Sequence, residues 1–300
     1  MAFSGNGRLL SIAATGGVYL IDCETGNRRC LVAMTNPITC LAMDEPGAQL
    51  SVGLEDGKWI DYSTADGAKL AECQLAAPAR ALSALAISPD QKHLATGGAD
   101  SRIQLWELAT GRLVREFPGH AGRILQLVFT PGGNELLSAS WDKTARVWSV
   151  SDGQLLTSLY GHKGPLRKII VSPNGSYAAT LGEDLRILLW DIPSGRLIAE
   201  VNEAGEFGRA MCFVSESRFL AWGDETGRVF VHESATGKRL HAWPTDFVSV
   251  LGLAETPETQ SLVSINEHGS LTLFSLRTKA EPATSRGLTS ATNPPATHQP

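Results

Sequence analysis

Apolar positions along this chain come in short bursts separated by turn residues, and between residues 124 and 160 the bursts follow one another without a gap. ILQLVF at 124–129 is an apolar run of the length of a buried strand. TPGGN at 130–134 is a turn cluster, and ELLSAS at 135–140 predicts a second strand. WDK at 141–143 makes a tight turn, and TARVWSV at 144–150 alternates as a third strand. SDG at 151–153 turns again, and QLLTSLY at 154–160 predicts a fourth. No segment with helical periodicity interrupts the series.

This unit repeats. Trp106, Trp148 and Trp190 are separated by steps of 42, as are Asp100, Asp142 and Asp184. Thr96, Ser138 and Thr180 keep the same step, and so do Pro89, Pro131 and Pro173. Gly119-His120 recurs as Gly161-His162. Unrelated residue types sharing one period mark a repeat architecture, in which each unit buries its apolar face only by stacking on its neighbours. The step carries on through Trp222 and Ser264, where the signature fades. Upstream, LSVGLEDGKWIDYSTADG at 50–67 resembles LATGGADSRIQLWELATG at 94–111, and 3–26 reads as the first copy.

Four strands per copy predict an all-β fold, a seven-bladed β-propeller of four-stranded antiparallel blades. The copies fall at about 1–36, 37–80, 81–122, 123–164, 165–208, 209–247 and 248–285, with a Thr/Ala/Pro-rich disordered tail at 286–300. Ring closure is the open point. The chain starts at the first strand of copy one, so the outer strand of the last blade must come from 278–285 or be missing, unless the sequence is a piece of a longer reading frame.

Composition narrows the function. A hydrophobic share of 43% and a charged share of 19% fit a globular domain. A net charge of −5 argues against non-specific nucleic-acid binding, which needs a basic face. Cys23, Cys30, Cys40, Cys73 and Cys212 form no C-x-x-C pair, which fits buried free thiols in a reducing compartment and signals no metal. No stretch reaches a membrane-spanning length, and Leu9–Ala14 after Arg8 fits a strand better than a signal peptide. A cytoplasmic location is expected.

With the Gly-His pairs at 119–120 and 161–162 and the third-strand ends Trp106-Glu107, Trp148-Ser149 and Trp190-Asp191, residues 81–208 resemble WD40 repeats. That resemblance implies a hydrogen-bonded network in each blade: His120, Ser138, Asp142 and Trp148 in one, His162, Thr180, Asp184 and Trp190 in the next. The copy with Thr96, Asp100 and Trp106 lacks the preceding Gly-His. In later copies Trp222, Thr226 and His232, then Ser264, His268 and Phe274, stand in for the network. These Asp/His/Ser sets superficially resemble a hydrolase triad, but catalytic groups do not recur in every structural unit, and no triad includes a tryptophan. The resemblance implies a stabilising role, with no catalytic residue and no cofactor.

The resemblance also implies docking on the narrower top face, lined by the residue before each turn aspartate and by the start of each innermost strand. By register these are Glu55, Ala99, Trp141, Glu183, Glu225 and Glu267, with Arg123, Leu125, Arg167, Phe207, Arg209 and Leu251. Arg167 with Glu183 and Arg209 with Glu225 read as rim ion pairs or as contacts for a partner. Leu125 and Trp141 beside Arg123 read as an exposed apolar pair of the kind enriched in binding hot spots, or as packing against the neighbouring blade.

The expected function is a non-catalytic scaffold for proteins or peptides over the fourth and fifth blades, as a monomer or a subunit of a hetero-complex, with no nucleic acid and no membrane. Two alternatives stand beside it. Glu55, Glu183, Glu225 and Glu267 could form an acidic channel ring of a metal-dependent hydrolase, with oxygen ligands suited to calcium. Trp141 and Phe207 could read a basic, modified peptide. The Trp-Asp-x-Arg pattern of ubiquitin-ligase receptors does not occur, since Trp190-Asp191 is followed by Ile192-Pro193.

Overall fold

In the fourth repeat, burial peaks at the second strand and falls from there to the outer one. In the fourth repeat the second strand, Glu135–Ser140, is buried from Leu136 onward, while the last strand, Leu155–Leu159, opens on solvent and buries only its final residue. The sequence pattern expresses this gradient. LLSAS is apolar or small throughout and serves a strand sandwiched on both faces, whereas the last strand is flanked by sheet on one side only. The computed structural model describes residues 2–4, 8–14, 16–44, 46–74, 81–201, 208–244, 249–256, 261–266 and 271–275.

Those residues form an all-β propeller of four-stranded antiparallel blades. Six complete blades span 2–33, 38–74, 82–117, 124–159, 166–200 and 208–244, each with its strands in sequence order from inside to outside. The expectation of seven four-stranded blades is corrected here. Six are present, and the last copy contributes a three-stranded sheet over 250–275 among the described residues. The outer strand expected from 278–285 and the tail at 286–300 lie outside them.

Separate apolar clusters fill the junctions between neighbouring sheets. Trp148 of blade 4 packs with Ala84, Leu105 and Phe117 of blade 3, and Trp190 of blade 5 packs with Leu137, Val147 and Leu159 of blade 4. Backbone turns help to seal these joints. Gly195, at φ 65°, brings the turn before the outer strand of blade 5 so close to blade 4 that a Cβ there would stand 2.7 Å from Thr157 Oγ1. The ring closes by the same means: Val263 and Ile265 of the last sheet cluster with Leu10 and Cys23 of blade 1. At the start of the chain Ala2–Phe3 pairs with the second strand of blade 1, Ala2 opposite Ser11.

Candidate docking face

The turn between the second and third strands and the loop leading in from the preceding blade meet at the same end of the ring. In blade 4 the loop carries His120 and the turn carries Asp142. His120 Nδ1 lies 2.6 Å from Asp142 Oδ2, and His120 Nε2 lies 2.7 Å from Ser138 Oγ. Trp148 Nε1–H donates to the same Ser138 oxygen at 2.8 Å. An ionised carboxylate can only accept, so the proton sits on Nδ1, and Nε2 accepts from the hydroxyl. Blade 5 repeats the arrangement with His162 to Asp184 at 2.9 Å, His162 to Thr180 at 2.8 Å and Trp190 to Thr180 at 2.8 Å. Both histidines and both hydroxyls are buried, where each unmade hydrogen bond costs about 1–3 kcal/mol.

The carboxylates also tie the loop to the turn. Asp142 accepts from the Ala121 and Thr144 backbone N–H groups and from the Thr144 hydroxyl. Burial works to raise the Asp142 pKa, but these bonds and the one from His120 outweigh it and hold the carboxyl below its usual range. The same balance lowers Asp184, with hydrogen bonds from His162 and the Lys163 N–H prevailing over burial. His162 is shifted down because burial outweighs the pull of Asp184.

Other blades depart from this pattern in ways that follow their sequence. In blade 3 Trp106 donates to Thr96 at 2.9 Å, and Asp100 caps the Arg102 N–H, with no histidine in the set. Blade 6 replaces the hydroxyl by Trp222, which stacks on Phe230 at 4.2 Å between ring centroids and whose buried N–H finds no partner among the described residues. His232 approaches the Gly237 carbonyl at 3.0 Å. Blade 6 also holds a group that sequence reasoning missed: buried Asp224 accepts from the Thr226 hydroxyl and from Arg228, whose Nη2 lies 2.7 Å away. In blade 2 the missed pair is Ser51 and Asp61, both buried and hydrogen-bonded. Counting ten residues on from Ser51, as from Ser138 to Trp148, would have found it. Ser264 is buried with no hydrogen-bond partner among the described residues, and His268 lies outside them.

On the rim, Trp141 is 51% exposed, and its backbone N–H donates to the Arg123 carbonyl at 2.9 Å. Arg123 and Leu125 are half-buried. Arg167 reaches Glu183 at 3.2 Å and Arg209 reaches Glu225 at 3.7 Å, all four partly or largely exposed. Two members of the expected acidic ring, Glu183 and Glu225, therefore carry arginine partners, and Glu267 and Phe207 lie outside the described residues. Among the described residues no group of three His, Cys, Asp or Glu side chains is placed to hold a metal. A cleft of about 410 Å³ opens between the first two blades, lined by Met34, Leu54, Lys58, Ile60 and Tyr62.

A ring of four-stranded meander blades, two of which carry a His–Ser/Thr–Asp–Trp network in the same register, defines a β-propeller. The model of the WD domain, G-beta repeat, matches residues 73–107, 111–149 and 153–191. The chain contains WD40 repeats and folds as a β-propeller. Among solved structures it resembles a chain of the mitotic checkpoint complex crystal structure, with a TM-score of 0.78, 17% identity, and 91% of this chain and 85% of that one covered; at this identity the likeness is one of fold. Among curated proteins it is 46% identical over 46 residues to the U3 snoRNP-associated protein-like EMB2271 of Arabidopsis thaliana, covering 15% of this chain and 10% of that protein. It is 40% identical over 63 residues to the U3 snoRNP-associated protein-like YAO of the same plant, covering 21% and 12%. It is 29% identical over 124 residues to telomerase protein component 1 of Mus musculus, covering 41% and 5%. The matches span about a tenth or less of the length of these relatives.

Proposed function

We propose that this protein is a non-catalytic scaffold that docks another protein on the rim of blades 4 and 5, with Trp141 as the anchor. The observation that carries this reading is the exposure of Trp141 beside Arg123, at the end of the ring where the polar networks lock loop to turn. A large side chain held half in solvent on a rigid turn offers contact area at little ordering cost, and tryptophan and arginine are enriched among binding hot spots. The ion pairs Arg167–Glu183 and Arg209–Glu225 form the polar border of the surface.

The three-stranded sheet over 250–275 serves as the seventh blade, packed between blades 6 and 1. The partner is a protein component of a larger assembly, and the names of two relatives point to ribonucleoprotein particles as one such assembly. Contact through protein rather than RNA is supported by the net charge of −5.

The test is affinity capture from cell extract with the full chain against a Trp141→Ala/Arg123→Ala variant. Partners retained by the parent and lost by the variant, at unchanged melting temperature, are the expected result. Equal retention by both proteins overturns the assignment of the face.

A further inference from the structure

Six outer strands of the ring are described, and five of them begin with a basic residue: Arg28, Lys69, Arg112, Arg196 and Arg239. Three also carry an acidic residue, Glu72, Glu116 or Glu200. Two end against proline, at Pro118 and Pro244. An outer strand presents a row of unpaired backbone groups, and charges and prolines are what keep such edges from pairing with other chains.

The outer strand of blade 4, Leu155–Leu159, has neither device. It begins with leucine, and from Gly153 to His162 the chain holds no Asp, Glu, Lys, Arg or Pro. Instead it exposes apolar side chains: Leu156 at 53%, Leu155 at 45%, and Tyr160 just beyond the strand at 70%. Thr157 faces Gly195 of blade 5, while Leu156 and Tyr160, of the other parity, stand open. The bulge at the start of this strand, between Val147 and Trp148 on its neighbour, is shared with the other described outer strands and so does not protect this one in particular.

We propose that this edge pairs with the same edge of a second copy of the chain, antiparallel about a two-fold axis at Ser158. The sequence of the strand argues for a second copy. In that register Thr157 stands opposite Leu159, and each exposed Leu156 meets the Tyr160 of the other copy. Aromatic–aliphatic pairs of this kind stabilise antiparallel sheets, whereas like charges facing each other oppose them. An uncharged strand meets its own image without repulsion. The bulge keeps the shared ladder short, so the dimer is reversible and concentration-dependent. This surface is separate from the rim around Trp141.

Sedimentation equilibrium of the full chain over a range of concentrations tests the proposal. A monomer–dimer equilibrium is expected. Leu156→Lys and Tyr160→Lys should each abolish the dimer without moving the melting temperature, while Leu197→Lys on the outer strand of blade 5 and Trp141→Ala leave it intact. A second measurement stands apart from these variants. In a Cys30→Ser background, Ser158→Cys should form a disulfide-linked dimer on mild oxidation, because directly opposed Cβ atoms lie about 5 Å apart. A chain that stays monomeric at every concentration, a dimer that survives both lysines, or a dimer that the Ser158→Cys substitution fails to cross-link overturns the proposal.

Discussion

Asp61 stands ten residues after Ser51, where Trp148 stands ten after Ser138, and the Ser51 hydroxyl donates to the Asp61 carboxyl. A buried carboxyl group has replaced an indole in the second blade. Burial dominates its titration and pushes its pKa up to about 6, with the Ser51 bond pulling the other way. A raised folded-state pKa stabilises the fold below the unfolded value of 3.8 and withdraws that contribution as pH rises through about 6. Asp61→Asn should therefore raise stability near pH 8 and leave it little changed near pH 4. The difference is at most about 3 kcal/mol by linkage. Chemical denaturation at the two pH values measures it, and equal effects at both would exclude the assignment.

The opposite sign holds at blade 5. His162 is shifted down from 6.5 and Asp184 down from 3.8, so both stabilise the fold above those values and lose that contribution as pH falls. In an Asp61→Asn background, stability should start to decline below about pH 6.5 and fall further below about 4. A His162→Gln variant should lose the first step and weaken the second, because His162 also supplies a hydrogen bond that lowers Asp184. Melting temperatures across that range read the effect directly.

Removing Asp142 leaves the imidazole of His120, the Ala121 N–H and the Thr144 N–H and hydroxyl without their acceptor. Asp142→Ala should cost about 2–4 kcal/mol, since the donors on buried His120 and Thr144 lose one partner. Asp100→Ala, where the carboxylate caps only the Arg102 N–H among the described residues, should cost about 1 kcal/mol or less. Urea unfolding of the two variants side by side distinguishes them, and similar losses would contradict the network account.

Lys143 sits at φ 71° in the turn of blade 4, a left-handed conformation that glycine holds at the matching turns of blades 2 and 6, Gly57 and Gly227. For lysine this conformation costs about 1–2 kcal/mol, part of which glycine returns through its freer unfolded state. Lys143→Gly should raise stability by about 0.5–1 kcal/mol and leave partner capture through Trp141 intact. A calorimetric melting curve checks the first half, and the capture assay checks the second.

Much of this architecture was legible because the ring repeats its chemistry. Trp106, Trp148 and Trp190 at a constant step place the third strands, and the Gly-His pairs place the loops that face Asp142 and Asp184. The spacing carries this information because each blade must present the same polar atoms to the same neighbours. Where a blade solved the problem differently, spacing was silent. Trp222 falls at the hydroxyl position of blade 6 and stacks on Phe230 rather than hydrogen bonding, and Asp224 of the Asp224–Arg228 pair falls two residues before the register of Asp142, where the period does not point. Edge chemistry also escaped the period, because the uncharged strand of blade 4 stands out only when the outer strands are set beside one another. Among the described residues the last copy contributes three strands rather than four, and period fixes where a copy falls but not how many of its strands pair.

The turn that carries Asp142 also carries Trp141, and the two side chains leave it in opposite directions. One is committed to the interior network, and the other projects into solvent. A substitution at the outward position changes what the rim presents without touching a buried hydrogen bond. Recognition in such a ring can drift one residue at a time, blade by blade, while the scaffold keeps its stability, so the familiar trade between acquiring a new partner and remaining folded is largely uncoupled at that position.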